Sequence, residues 1–155
     1  MTRTFRGISM WALLSVGAYA ACGNDNPPPP VTESTSQPCA VATDCYPGLE
    51  EAGALRGDRF CITKVQGGYC THTCVADSDC CAVPGECRTS HPQVCAPFEN
   101  MSAQKYCFLS CEDGDWADAG VASADAFCGA FAGTGFGCRS TGGGPMNRKI
   151  CAPSP

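Results

Sequence analysis

The sequence predicts a small disulfide-rich fold, loop-rich, with short β-strands, one short helix and seven disulfides. Three observations predict it. The chain holds 15 cysteines in 155 residues, a density found in scaffolds that rely on crosslinks. Beyond residue 21 it has only 18 Leu, Ile, Val and Phe side chains, about 13% of that stretch and below the roughly 20% at which a chain struggles to bury enough apolar surface. Its 18 glycines and 12 prolines mark turns such as Tyr46-Pro47-Gly48, Val83-Pro84-Gly85 and Gly142-Gly143-Gly144-Pro145.

Residues 1–21 read as a secretion signal. Arg3 and Arg6 supply the positive start, Ile8 to Leu14 with Val16 the apolar stretch, and the alanines at 18, 20 and 21 the small residues before a cleavage point. The apolar stretch is shorter than the roughly 20 residues a membrane-spanning helix needs. Cys22 follows at once. Parity sets it apart, because an odd number of cysteines cannot all pair within the chain and Cys22 stands 17 residues before the next one. The order Tyr19-Ala20-Ala21-Cys22-Gly23 resembles bacterial lipoprotein precursors, in which small residues precede a cysteine that becomes lipid-modified and N-terminal; Tyr19 stands where that family usually has an aliphatic residue. The resemblance implies lipidation of Cys22. Ordinary signal cleavage near Ala18-Tyr19-Ala20, leaving Cys22 a stray or intermolecular thiol, remains open at this stage. Residues 22–38 then form a lipidated cysteine and a Pro-rich tether, GNDNPPPPVTESTSQP from Gly23 to Pro38. Four consecutive prolines and few apolar side chains predict an extended, solvated spacer of roughly 3 Å per residue.

Residues 39–155 form the predicted cystine-rich domain. Tyr69-Cys70-x3-Cys74, then Cys80, Cys87 and Cys95-Ala96-Pro97, is echoed by Tyr106-Cys107-x3-Cys111, then Cys128, Cys138 and Cys151-Ala152-Pro153. The shared flanks predict an internal repeat with units 69–97 and 106–153, Cys81 being extra in the first. A partial unit, 39–61, precedes them: Cys39-AVATD-Cys45 matches Cys74-VADSD-Cys80, and Cys61 completes it. Counted this way, the first and last groups hold odd numbers of cysteines. At least one bridge must therefore leave each of them, tying 39–155 into one covalent body. The connectivity itself stays open.

Strands are expected around Arg59 to Val65 and Lys105 to Leu109, where aromatic and β-branched residues gather. A short helix is expected in the long gap between Cys111 and Cys128 and just beyond. Ser123 caps it, Ala124 and Ala126 favour it, Phe127 and Phe131 share one face, and Gly133 ends it.

The domain also has local resemblances. Cys39-x5-Cys45, Phe60-Cys61 and Cys74-x5-Cys80-Cys81-x5-Cys87 are similar to the N-terminal cysteine-rich module of Dickkopf proteins, and Cys74-VADSD-Cys80 resembles a stretch of whey-acidic-protein modules. In the latter family the adjacent cysteines come later than Cys80-Cys81. In overall style, cysteine-rich and punctuated by Asp-Cys pairs, the chain resembles lipoproteins of predatory and social deltaproteobacteria. That resemblance implies an exported protein anchored by lipid at the outer membrane or cell surface.

Function classes narrow further on chemistry. Without Arg3 and Arg6 the chain has 8 basic and 15 acidic side chains, a net charge of 8 − 15 = −7, which speaks against nucleic acid as a partner. No C-x2-C pair is present for zinc or redox work. His72, between Cys70 and Cys74, is expected on the surface in a tight loop. Glu112, Asp113, Asp115 and Asp118 lack the ligand order of a calcium loop. Motifs for a serine nucleophile, a zinc protease or a phosphate-binding loop are absent. The expectation is a non-enzymatic protein without catalytic residues, metal or cofactor. It meets the membrane through an N-terminal lipid and binds a protein or glycan ligand, as an adhesion or envelope-structural module. A secreted protease-inhibitor-like or toxin-like ligand is the alternative. Trp116, an aromatic among acids, is marked as a contact residue, with packing on a disulfide as the competing role.

Overall fold

The computed structural model describes residues 31–49, 51, 53–99, 102–142 and 147–154. The signal segment, Cys22 and the four consecutive prolines lie outside the described residues. Among those described, three antiparallel hairpins carry the structure: β1 (Arg59–Cys61) with β2 (Cys70–His72), β3 (Gln93–Pro97) with β4 (Lys105–Leu109), and β5 (Phe136–Ser140) with β6 (Lys149–Pro153). Two short helices, α1 (Asp113–Trp116) and α2 (Ala124–Phe131), fill the segment before β5. The fold is small, loop-rich and disulfide-rich, as expected.

Seven bridges use every cysteine from Cys39 to Cys151. They are Cys39–Cys61, Cys45–Cys70, Cys74–Cys95, Cys80–Cys107, Cys81–Cys87, Cys111–Cys138 and Cys128–Cys151. With Cys81–Cys87 set aside, three successive quartets follow one order, first to third and second to fourth. In each, the third and fourth cysteines face each other across a hairpin: Cys61 opposite Cys70, Cys95 opposite Cys107, Cys138 opposite Cys151. Neither bonds its neighbour. Each reaches back to the segment before the hairpin and pins it at two points.

These quartets cut across the frame drawn by the Tyr-Cys flanks. Cys70 and Cys107 close one quartet, while Cys74 and Cys111 open the next. Bridges do leave the sequence-defined groups, through Cys45–Cys70 and Cys80–Cys107. Yet no disulfide joins one quartet to another. The joints between quartets are non-covalent apart from the main chain.

Backbone pairing makes part of each joint. Thr73 bridges Tyr106 and Ser110 bridges Ile150, and the amides of Cys74 and Cys111 donate to the carbonyls of Lys105 and Lys149. The rest is apolar. Ile62, Tyr69, Val94, Ala96, Phe108, Ile150 and Ala152 form one buried cluster drawn from all three hairpins. Tyr69 lies 5.4 Å from the Phe108 ring and 5.6 Å from that of Phe136, centroid to centroid. Full burial of a side chain such as Phe108 contributes roughly 1.5–3 kcal/mol. Apolar side chains thus close joints that no disulfide spans.

The segments leading into the first two hairpins are built alike. Each C-x5-C stretch makes one 3₁₀ turn, Ala42–Asp44 and Asp77–Asp79. Asp44 Oδ2 accepts from the amides of Ala40 and Val41 at 2.8 and 3.0 Å, and Asp79 Oδ2 accepts from those of Val75 and Ala76 at the same distances. Those amides hold both carboxyls below their ordinary range. This is the role of the aspartate that precedes the second cysteine. In the third quartet the five-residue gap becomes sixteen, filled by α1, a 3₁₀ turn at Ala117–Ala119, and α2. Helix α2 matches the expectation: Ser123 accepts from the Ala126 amide, and the Phe127 and Phe131 rings lie 4.9 Å apart. Helix α1 was not expected, since four residues show no apolar periodicity. Gly68 is required by close approach, for at φ +75° a Cβ there would lie 1.9 Å from the Cys39 carbonyl oxygen.

One boundary is corrected. Residues 33–36, assigned from sequence to the solvated tether, are buried in the body. The Glu33 amide donates to Phe131 O, the Ser36 amide to Cys70 O and the Ser36 hydroxyl to Ala132 O. Polar composition predicted solvation. Specific hydrogen bonds inside the body satisfy these groups instead.

Two outcomes test this layout. Cleaving the denatured, unreduced chain between Cys107 and Cys111 is expected to release separate fragments, whereas cleavage at Lys64 or Lys105 leaves the pieces bonded; non-reducing mass spectrometry of the digests reads the difference. In the native protein, Cys81–Cys87 is expected to be reduced first, since Cys81 is the exposed half-cystine among those described. Its bridge spans 6 residues against 21 to 27 for the others, and removing it by a double alanine substitution is expected to lose about 2 kcal/mol, against about 3.5 kcal/mol for a longer one.

Candidate binding surface

His72 is not in a surface loop. It lies on β2, fully buried, with Nε2 donating to Glu86 Oε1 at 2.8 Å and Nδ1 3.0 Å from Thr73 O. Sequence spacing placed it between two cysteines but carried no sign of the carboxylate fourteen residues on. Glu86 sits inside the Cys81–Cys87 loop and is itself buried, taking the Cys81 amide at 2.5 Å and the Val83 amide at 3.2 Å. Burial pushes its carboxyl up, but the His72 hydrogen bond, the Cys81 amide, the His72 charge and the Val83 amide outweigh it and hold the group below its ordinary range. His72, Cys80 and Cys107 bring three donor atoms within 4.8 Å. Both sulfurs are bonded to each other, so the cluster has no thiolate to offer a metal.

A second buried carboxylate anchors the N-terminal segment. Glu33 accepts from the amides of Arg88 and Thr89 at 3.0 and 2.8 Å, from the Thr89 hydroxyl, and from Gln93 Nε2 at 3.4 Å. Thr35 continues the chain of contacts, donating to Gln93 Oε1 at 2.8 Å and lying 2.9 Å from the Tyr46 hydroxyl. Desolvation raises the Tyr46 phenol well above its usual value, so it stays protonated as a donor. This network is a structural brace.

Trp116 is half-buried and packs on the cluster of Leu109, Cys111, Phe127, Cys128, Ala132 and Cys151. Packing on disulfides, one of the two roles weighed from sequence, is seen in the structure. The neighbouring acids face cations of β6 and its approach: Asp113 pairs with Lys149 at 2.6 Å, and Glu112 accepts the Lys149 amide at 2.7 Å. Asp115 takes the Ser110 hydroxyl.

Open surface suited to a ligand lies elsewhere, around the turn that follows β1. On one side, a cleft of about 270 Å³ is lined by Phe60, Ile62, Phe98, Ser102 and Tyr106, with the Lys64–Glu99 ion pair, 2.6 Å long, at its edge. The Phe60 and Tyr106 rings lie 5.1 Å apart, and Phe60 is 41% exposed. On the other side, a cleft of about 800 Å³ runs between Lys64–Gln66 and Thr134–Phe136, with Arg139, Pro153 and Ser154 completing it. Lys64 belongs to both. Nothing in cysteine spacing signalled this surface; the aromatic residues at 60, 98 and 106 were the available clue.

No protein-family model matches this chain, and no curated protein or solved structure matches it either.

The buried pair has a pH signature. Because the folded-state pKa of Glu86 is depressed below 4.5, its stabilising contribution is present above about pH 4.5 and is lost as pH falls through the folded value. The Asp44 and Asp79 clamps act in the same sense. Denaturation midpoints are expected to fall on acidification below about pH 4.5, and Glu86→Gln is expected to lower the neutral-pH midpoint and flatten the acid limb. An unchanged acid limb in that variant would detach the slope from Glu86.

Proposed function

We propose that the chain is a non-enzymatic, lipid-anchored surface protein that displays a disulfide-closed body for binding. One observation carries this reading. Fourteen of the 15 cysteines are bonded to one another, so no cysteine of the same chain remains to pair with Cys22. A cysteine left over directly after an export signal fits a lipid-modified N-terminus. Seven disulfides belong to an oxidising, extracytoplasmic compartment, and among the described residues no helix is long and apolar enough to cross a membrane. Anchorage at a bacterial outer membrane or cell surface follows from the lipid. With residues 33–36 inside the body, the spacer shortens to the stretch from Gly23 to about Thr32. The shared bridge order of the three quartets fits tandem duplication of a hairpin unit.

Mass spectrometry of the mature N-terminus tests the anchor. A chain beginning at Cys22 with the added mass of acyl groups, partitioning into the detergent phase, is expected. An unmodified chain beginning before Cys22 in the soluble fraction would refute it and favour a secreted, inhibitor-like or toxin-like ligand.

A further inference from the structure

Arg139 on β5 is a half-buried cation without a carboxylate partner among the described residues. Its guanidinium lies 4.8 Å above the Phe98 ring and donates from Nη2 to Phe98 O at 3.1 Å. Its Nε is buried and has no hydrogen-bond partner. A charge drawn part-way out of water without a counter-ion is costly, and this one borders the larger cleft. The nine residues lining that cleft include Lys64 and Arg139 and no Asp or Glu. In a chain of net charge −5 that is a local reversal of sign. Lys64 is available to it, since its surface ion pair with Glu99, 69% and 55% exposed, is of the kind that holds only weakly.

We propose that this cleft binds a carboxylated sugar, a uronate unit of an acidic oligosaccharide. With Nε buried and Nη2 on Phe98 O, the Nη1–Nη2 edge is the part of the planar guanidinium left to meet a carboxylate in two-point contact. Gln66, Thr134 and Ser154 on the rim offer side-chain partners for ring hydroxyls. Across Lys64, the Phe60 and Tyr106 rings present apolar faces on which the next sugar stacks. A peptide carboxyl terminus fits less well, because it brings a carboxylate but no ring hydroxyls to meet Gln66, Thr134 and Ser154. The inference rests on reading the body as a binding module and not on how it is anchored.

The test is calorimetric titration of the full mature, oxidised protein with oligogalacturonate and with the same oligomer after reduction of its carboxyl groups. Binding of the acidic form alone is expected, weakening as salt is raised. Arg139→Gln is expected to lose about tenfold or more in affinity, Lys64→Gln about threefold. Arg139→Lys, which keeps the charge and the stem over Phe98, is expected to lose most of the affinity with the bridges and circular dichroism unchanged. Equal binding of the reduced oligomer, unaltered affinity in either Arg139 variant, or capture of a peptide acid in place of uronate each overturns the proposal. The two readings fail separately: a lipid-free terminus removes the anchor and leaves the site, while absence of uronate binding removes the site and leaves the anchor.

Discussion

The constraint on which the structure depends is a refusal of the nearest partner. In each hairpin two cysteines face each other across the strands, and each bonds a cysteine further back in the chain. A bridge straight across the hairpin would only reinforce a contact the backbone already makes. Two bridges reaching back fix the preceding segment against the hairpin, which is what gives so short a sheet a defined neighbour. An isolated two-stranded hairpin is at best marginal in water; here each is held from behind.

Crosslinks and core divide the labour. Disulfides define each quartet from within, whereas the quartets are joined by two backbone bridges, the aromatic and aliphatic cluster around Tyr69 and Phe108, and the polar brace running from Glu33 to Tyr46. The low count of aliphatic residues is sufficient because the disulfides hold each quartet from within, leaving apolar side chains to close the joints and to pack beside α2. The Cys81–Cys87 bridge stands outside this order and serves a different end. It closes the short loop that presents Glu86 to His72.

Much of this was legible in the sequence. Cysteine density and scarce aliphatic residues predicted the class of fold. Residues 59–61 and 105–109 pair as strands within the expected stretches, and Ser123, Phe127 and Phe131 play the parts assigned to them in α2. Strand β2 escaped because it is short, and β3, β5 and β6 because they are short and carry Ala, Gly or Pro, which are depleted in strands, beside few β-branched or aromatic residues. The repeat frame shifted because the Tyr-Cys and Cys-Ala-Pro flanks mark strands of the hairpins, while the bridges, which sequence does not reveal, decide where a quartet begins. His72 and Glu33 were placed in solvent because their partners, Glu86 and Thr89, are brought to them only by folding. The two clefts arise where the turn after β1 meets the other hairpins, and such meetings have no local signature.

The absence of any bridge between quartets also bears on how the chain finds its native pairing. Fourteen cysteines admit on the order of 10⁵ complete pairings, but groups of four, six and four considered separately admit about 3, 15 and 3, or roughly 135 combinations. Oxidation that proceeds locally, each hairpin sorting its own sulfurs before the next is engaged, reduces the search about a thousandfold.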